Sequence, residues 1–334
     1  MSLPSLTSVL ELDRRPGKPP VLGVATPADA AVWVAEHRDR LRAAVTQHGA
    51  VLVRGLGLRD ASAFAAVTRR LAGEPMVDRE AFAPRQPYPG GVYSATPWPA
   101  NQPMCMHHER SYGLEFPGLM LFACLGEPTS GGATGLADAA AVLDALPPEL
   151  ARRFTRDGWL LVRNYGDEIG ASPAEAFGTD DRAAIERYCR AQAVTFAWQP
   201  DGTLRTWQRR SAVVRHPVTG QRCWFNQIAF LSEWTMEPEV REYLVDVYGA
   251  DGLPFTTRFG TGEPVGEDVV ALLTSVYEAH TVREPWQAGD LMLIDNIRTA
   301  HSREPYEGPR EVLAAMADPV RLDDCAPTVD GTLR

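Results

Sequence analysis

Lysine is almost missing from this chain. Of the 33 basic residues in the 334, Lys18 is the one lysine, and it lies in the Pro16-Gly17-Lys18-Pro19-Pro20 segment. Schiff-base catalysis and a phosphate-binding P-loop both need a positioned lysine, so both are disfavoured. No GxxxxGK[ST] run and no strand-linked GxGxxG occurs either, and arginine must do all the anion binding. The five cysteines (Cys105, Cys124, Cys189, Cys223 and Cys325) are odd in number and widely spaced, without a CxxC pair. That fits reduced thiols rather than a disulfide framework or a zinc site. No apolar run approaches the ~18 residues of a membrane span, and Met1 to Pro20 carries no apolar core of a secretory signal. A cytoplasmic protein with no membrane partner is therefore expected. A net charge of −10 and a pI near 5.3 argue against nucleic acid as a partner, because phosphate binding needs a basic surface.

What is present is an ordinary globular composition, 45% hydrophobic and 23% charged, long enough for a sizeable core. Residues 29–48 read as an amphipathic helix stopped by Gly49, and Gly49 to Gly55 as a short buried strand. Asp60 caps a second helix through Leu71. Residues 75–103, rich in Pro, Gly and aromatics, read as a long loop, and long loops beside a site are often functional. Further strands are expected at 118–125, 159–163, 204–215, 222–230, 290–296 and 310–317. Helices are expected near 139–156, 237–248 and 268–278, with 168–215 an insertion region. Strands without regular βαβ alternation predict a mainly β fold, an antiparallel core with peripheral helices. No linker divides the chain, so residues 1–334 read as a single domain.

The chemistry concentrates at Met106-His107-His108-Glu109-Arg110. On an extended segment His107 and Glu109 share a face, while His108 points away. His301, from a distant strand, would complete two histidines and one carboxylate, the ligand set of non-haem Fe(II) oxygenases. His107-x-Glu109 alone arises often by chance, and a satisfied structural pair explains it as well; Asp295-Asn296 before His301 and Arg310 after it favour the metal. His216, before a Pro217-Val-Thr-Gly220 turn, is expected to be exposed. Thr134 could be only a turn residue, and Arg310 only a surface ion pair.

Gly49-Ala-Val-Leu-Val-Arg-Gly55, His107-x-Glu109, Gly131-Gly132-Ala133-Thr134, Asp295-Asn296 before His301, and Gly308-Pro309-Arg310 occur in one order. Together they resemble the Fe(II)- and 2-oxoglutarate-dependent dioxygenases of the taurine dioxygenase-like superfamily, over residues 49 to 318. Glu as the carboxylate and the Cys223-Trp-Phe-Asn-Gln227 run resemble the branch that modifies amino acids, free or tethered to a carrier protein, in antibiotic and nonribosomal-peptide biosynthesis. The resemblance implies a double-stranded β-helix (jelly roll) and the cofactors Fe(II), 2-oxoglutarate and O2. It places iron on His107, Glu109 and His301, and the far carboxylate of 2-oxoglutarate on Thr134 and Arg310. Ala314 stands where some members carry a second arginine for an anionic substrate, which speaks against a sulfonate held in that way. Glu109 argues against halogenation, because halogenating relatives lose the carboxylate ligand.

The expected activity is hydroxylation of an unactivated C–H in an amino-acid-like substrate, with succinate and CO2 as coproducts. Desaturation, epoxidation or cyclisation use the same ligands, and a retired metal-binding or regulatory jelly roll is the reading from another class. Trp98, Asn101 and Gln102 on the approach to the metal motif, Asn226, and Arg303 are candidates for substrate contact or support of the site.

Overall fold

The computed structural model describes residues 10–331 except 74, 78, 79, 81, 83, 84, 167 and 169. The chain opens with strand β1 (Val21–Gly23), helix α1 (Ala30–His48), β2 (Ala50–Arg54) and α2 (Ala61–Leu71). Short strands β3 (Pro87–Tyr88) and β4 (Val92–Ser94) precede β5 (Met104–His107) and the long β6 (Glu115–Gly126). Next come β7 (Ser130–Gly131), β8 (Thr134–Asp138), α3 (Ala139–Ala145), α4 (Pro148–Asp157) and β9 (Trp159–Tyr165). The middle holds α5 (Pro173–Phe177), α6 (Arg182–Ala191), β10 (Thr195–Trp198), β11 (Leu204–Arg210), β12 (Val213–Arg215) and β13 (Arg222–Trp224). After α7 (Pro238–Tyr248), β14 (Phe255–Phe259) and α8 (Glu267–Ala279), the chain returns through β15 (Thr281–Val282), β16 (Leu291–Asp295), β17 (Thr299–Arg303), β18 (Tyr306–Glu307) and β19 (Glu311–Arg321).

Two sheets make the jelly roll. The major sheet runs β1-β2-β16-β6-β19-β4-β3 and the minor sheet β15-β8-β17-β5. Among the described residues only β1 and β2 pair in parallel. Strand β16 shows why these segments read as continuous hydrophobic runs. Leu291 and Leu293 point outward beneath α1 and α2, in a core shared with Val34, Leu41 and Phe64. Met292 and Ile294 point inward, packing with Met120 and Met316 of the same sheet and with Leu136 of the facing one. Side chains alternate across a strand, so burial on both faces demands an apolar residue at every position. The far side of the minor sheet is covered by a third core, in which Met106, Ala137 and Ala300 meet Leu273 and Tyr277 of α8. Within 168–215, β10 and β11 join β9 and β14 in a four-stranded sheet, β10-β11-β9-β14, and α5 and α6 pack through Ala176, Ile185 and Cys189. No helix of the described residues is long and apolar enough to cross a membrane.

Local signals place the first helices. Asp29 accepts hydrogen bonds from Ala31 and Val32 N–H, and Asp60 from Ala63 N–H. Four expectations need correction. Residues 75–103 are not all loop: Gly90 and Gly91, both at positive φ, turn β3 into β4, which extends the major sheet beside β19. The helix expected over 139–156 is two, because Leu146 is extended ahead of Pro147 and Pro148. The strand expected over 222–230 stops at Trp224, and the Asn226 side chain accepts from Ile228 N–H to form a turn. His216 is buried, not exposed, for a reason that belongs to the site.

Candidate metal centre

The two histidines meet across a strand pair. β17 lies between β8 and β5 in the minor sheet, and His301 is the partner of His107, with ring centroids 4.3 Å apart. Glu109 arrives differently from the expected extended alternation. β5 ends at His107, and Glu109 lies in a turn that continues into Arg110 at φ +56°. What aims it is Asn296. Its Oδ1 accepts from Glu109 N–H at 2.8 Å, and its Nδ2 donates to the carbonyls of Glu109 at 3.0 Å and Pro117 at 2.9 Å. The same turn is tied at His108, whose Nδ1 bonds to the Asn296 carbonyl and whose own carbonyl accepts from Gln227.

Asn296 is presented by the tight turn between β16 and β17. Asp295 Oδ1 accepts from Ile297 and Arg298 N–H, and its Oδ2 accepts from His216 Nε2 at 2.8 Å. His216 is therefore part of this framework. The Pro217–Gly220 turn folds back so that Val218 and Thr219 N–H donate to its Nδ1, leaving Nε2 to carry the proton toward Asp295.

One ligand atom from each of His107, Glu109 and His301 lies within 4.8 Å of the others, close enough to share one metal ion. All three are at most 8% exposed. His107 donates from Nδ1 to the Cys105 carbonyl, which leaves Nε2 for a metal. His301 Nδ1 is buried without a hydrogen-bond partner. Burial lowers the pKa of both imidazoles, furthest for His301, so both stay neutral. Burial pushes Glu109 upward, but the Arg85 guanidinium, by its charge and its hydrogen bond, outweighs it with the help of Arg110 and holds the carboxyl below its ordinary value. Two neutral imidazoles and one carboxylate are the protonation states a divalent metal requires, so the residues present fit it.

The triad opens into a cavity between the two sheets, lined also by Thr134, Arg303, Arg310, Phe122 and Ala314. Gly131 and Gly132 adopt φ of +67° and +68°, and this turn delivers Thr134 to the head of β8. Thr134 Oγ1 accepts from Trp286 Nε1 at 3.2 Å. Arg310, just before β19, donates from Nε to the Gly132 carbonyl at 3.0 Å. Burial, aided by the neighbouring Arg303, lowers its pKa to about 10, so the guanidinium is still charged at neutral pH.

Of the other candidate residues, Arg303 lines the cavity and donates to the Pro99 and Gln102 carbonyls. Trp98, Asn101, Gln102 and Asn226 are not among the residues lining it. Trp98 donates to the Pro103 carbonyl and lies 5.9 Å from the Phe230 ring, which stacks on His107 at 4.6 Å. Asn101 is exposed, and Asn226 is buried and donates to the Ala212 carbonyl. Two residues went unnoticed in the sequence, Arg85 and Phe230. Arg85 Nη2 lies 3.2 Å from both Glu109 oxygens, and its Nε donates to Thr96 Oγ1 at 2.9 Å. Its only signal was a place in the Pro-rich loop.

With this geometry in view, residues 13–316 match the family model described as taurine catabolism dioxygenase TauD, TfdA family. The chain belongs to that family. It is 33% identical over 299 residues to the dapdiamide synthesis protein DdaC of Enterobacter agglomerans, covering 90% of this chain and 91% of that one. A clavaminate synthase-like protein of Arabidopsis thaliana is 29% identical over 281 residues, covering 81% and 82%. Among solved structures, PvcB from Pseudomonas aeruginosa superposes with a TM-score of 0.55 at 15% identity, covering 96% of this chain and 97% of that one. A taurine dioxygenase from Burkholderia xenovorans gives 0.51 at 19% identity, covering 95% and 92%. The family member described here is a non-haem dioxygenase that uses Fe(II), 2-oxoglutarate and O2.

Proposed function

We propose that His107, Glu109 and His301 hold the iron, that Arg310 and Thr134 receive the far carboxylate of 2-oxoglutarate, and that the enzyme hydroxylates an unactivated C–H of an amino acid or amino-acid-derived substrate. The observation that carries this reading is that the ligand triad and Arg310 line one and the same cavity. A keto acid bound at the metal through its near end leaves a second carboxylate, and a planar two-pronged donor suits it. Bound together, iron and 2-oxoglutarate supply oxidative decarboxylation to succinate and CO2, coupled to insertion of one oxygen atom into the substrate. The chain's residues do the rest. Asn296 orients the carboxylate ligand, the Phe230 and Phe122 rings flank the histidines, and the two sheets exclude water.

The amino-acid assignment draws on the Glu-type metal motif and on the relative named for dapdiamide synthesis. Both free and carrier-bound substrates belong in the assay. The intact triad and Arg310 speak against a retired scaffold.

Anaerobic titration with Fe(II) and 2-oxoglutarate tests the site through the visible charge-transfer band of the complex. Wild type develops the band and Glu109→Ala does not. Arg310→Ala loses a charge-assisted hydrogen bond worth about 1.5–3 kcal/mol, so it needs roughly 10- to 100-fold more 2-oxoglutarate. Succinate release across free and carrier-bound amino acids then tests the substrate class. A wild-type protein without the band refutes the site assignment, and a site that turns over but ignores every amino acid refutes the substrate class.

A further inference from the structure

Among the described residues, the cavity lining carries more positive charge than iron and 2-oxoglutarate would balance. Among the described residues lining it, Arg85, Arg303 and Arg310 face a single carboxylate, Glu109. That leaves two positive charges in excess. A divalent ion raises the excess to four, and the dianion of 2-oxoglutarate returns it to two. Uncompensated buried charge costs several kcal/mol, so the loaded cavity is complementary to an anion.

The placement of Arg85 says which residue meets that anion. Arg310 is committed to the cosubstrate in the reading above, and Arg303 donates to the Pro99 and Gln102 carbonyls. Arg85 pairs with Glu109, and the proposed iron would draw on that same charge. Its side chain is only 12% exposed, and Nε is held on Thr96 Oγ1. Around it the walls are small: Ala95, Thr96 and, on β19, Ala314 line the same cavity. β4 pairs Tyr93 with Ala314, and Ala95 N–H donates to the Val312 carbonyl, so the stretch leading to Thr96 lies beside this strand. A guanidinium is thus supplied from the loop before β3, next to a strand position that offers none.

We infer that Arg85 is the substrate anchor, binding a free carboxylate of the substrate beside the metal. The inference rests on the oxygenase reading above and deepens it. The preferred substrate keeps an ionised carboxylate, and an amino acid tethered through its carboxyl as a thioester would leave the charge unmatched.

The test uses the full-length protein loaded anaerobically with Fe(II) and 2-oxoglutarate, and reads perturbation of the charge-transfer band. The probes are L-amino acids with varied side chains, the matching 2-deamino acids, and the matching primary amides. Carboxylates should perturb the wild-type band at concentrations well below the amides. Arg85→Gln should weaken the carboxylates by roughly 10- to 100-fold and leave the amides and the 2-oxoglutarate half-saturation in place. Arg85→Lys should recover part of the loss. Deamino acids that bind as well as amino acids would refute the amino-acid reading while upholding the anchor. The anchor falls if amides bind like acids, if no carboxylate perturbs the wild-type band, or if Arg85→Gln weakens acids and amides equally. It also falls if Arg85→Gln raises the Fe(II) requirement with an unchanged acid-to-amide ratio, for then Arg85 only orients Glu109.

Discussion

Asn296 shows how a single side chain can shape a proposed metal site without belonging to the ligand triad. It is fully buried, and its amide is used at both ends, accepting from Glu109 N–H and donating to two carbonyls. Truncation to alanine would orphan three buried backbone groups, each costing about 1–3 kcal/mol when unpaired. Asn296→Ala should therefore lose at least about 2 kcal/mol in urea unfolding. It should also bind Fe(II) at least about tenfold more weakly in the same anaerobic titration, because the Glu109 turn loses its clamp. Unchanged iron affinity in a folded variant would show that the turn holds without it. The proposed donors are visible in the sequence, because two histidines and a carboxylate are written in the residue types of His107, Glu109 and His301. The clamp was not, because Asn296 and Glu109 are 187 residues apart in the chain.

At the level of elements, the Gly131-Gly132 turn decides where Thr134 and Arg310, the proposed cosubstrate residues, stand. Gly131 has φ +67°, and a Cβ there would overlap the Pro305 carbonyl, a backbone atom with no room to retreat. The adjoining Gly132 supplies the carbonyl that receives Arg310, and Thr134 begins the next strand. Gly131→Ala should cost about 1–3 kcal/mol, the range for a side chain forced into a left-handed conformation. If the turn positions these residues, it should also raise the 2-oxoglutarate half-saturation by several-fold with Fe(II) affinity kept. Equal losses for both ligands would mean general collapse instead. Two glycines in a row announced the turn; the clash with Pro305 could not be foreseen, because it comes from the loop after β17. In the same way Asp60 marked the start of α2 correctly, and Asp29, read as the first residue of its helix, proves to be the cap of α1, each cap being complete within three residues of sequence.

For the whole molecule, ligand binding and folding are linked. The site draws on both sheets, with His107 and His301 from the minor one and Phe122, Val312 and Ala314 from the major one. A cofactor that binds only the assembled cavity stabilises the fold by mass action, about 2.7 kcal/mol at a hundredfold excess over its Kd. Fe(II) with 2-oxoglutarate should raise the unfolding free energy of wild type in anaerobic urea titration by that increment, and Glu109→Ala should show none of it. A shift in Glu109→Ala equal to wild type would place the binding elsewhere.

The sequence by itself determined the donor chemistry, the order of the motifs and the mainly β character, because each is written in residue types or in patterns a few residues long. The tertiary structure decided what those donors face. Glu109 leaves the strand and is held by a side chain from the opposite end of the chain, His216 is drawn under its own turn to meet Asp295 across 79 residues, and Arg85 meets Glu109 across 24. None of these pairings has a local signature. Each exists because burying a polar group requires a partner, and which partner is within reach depends on how the sheets close.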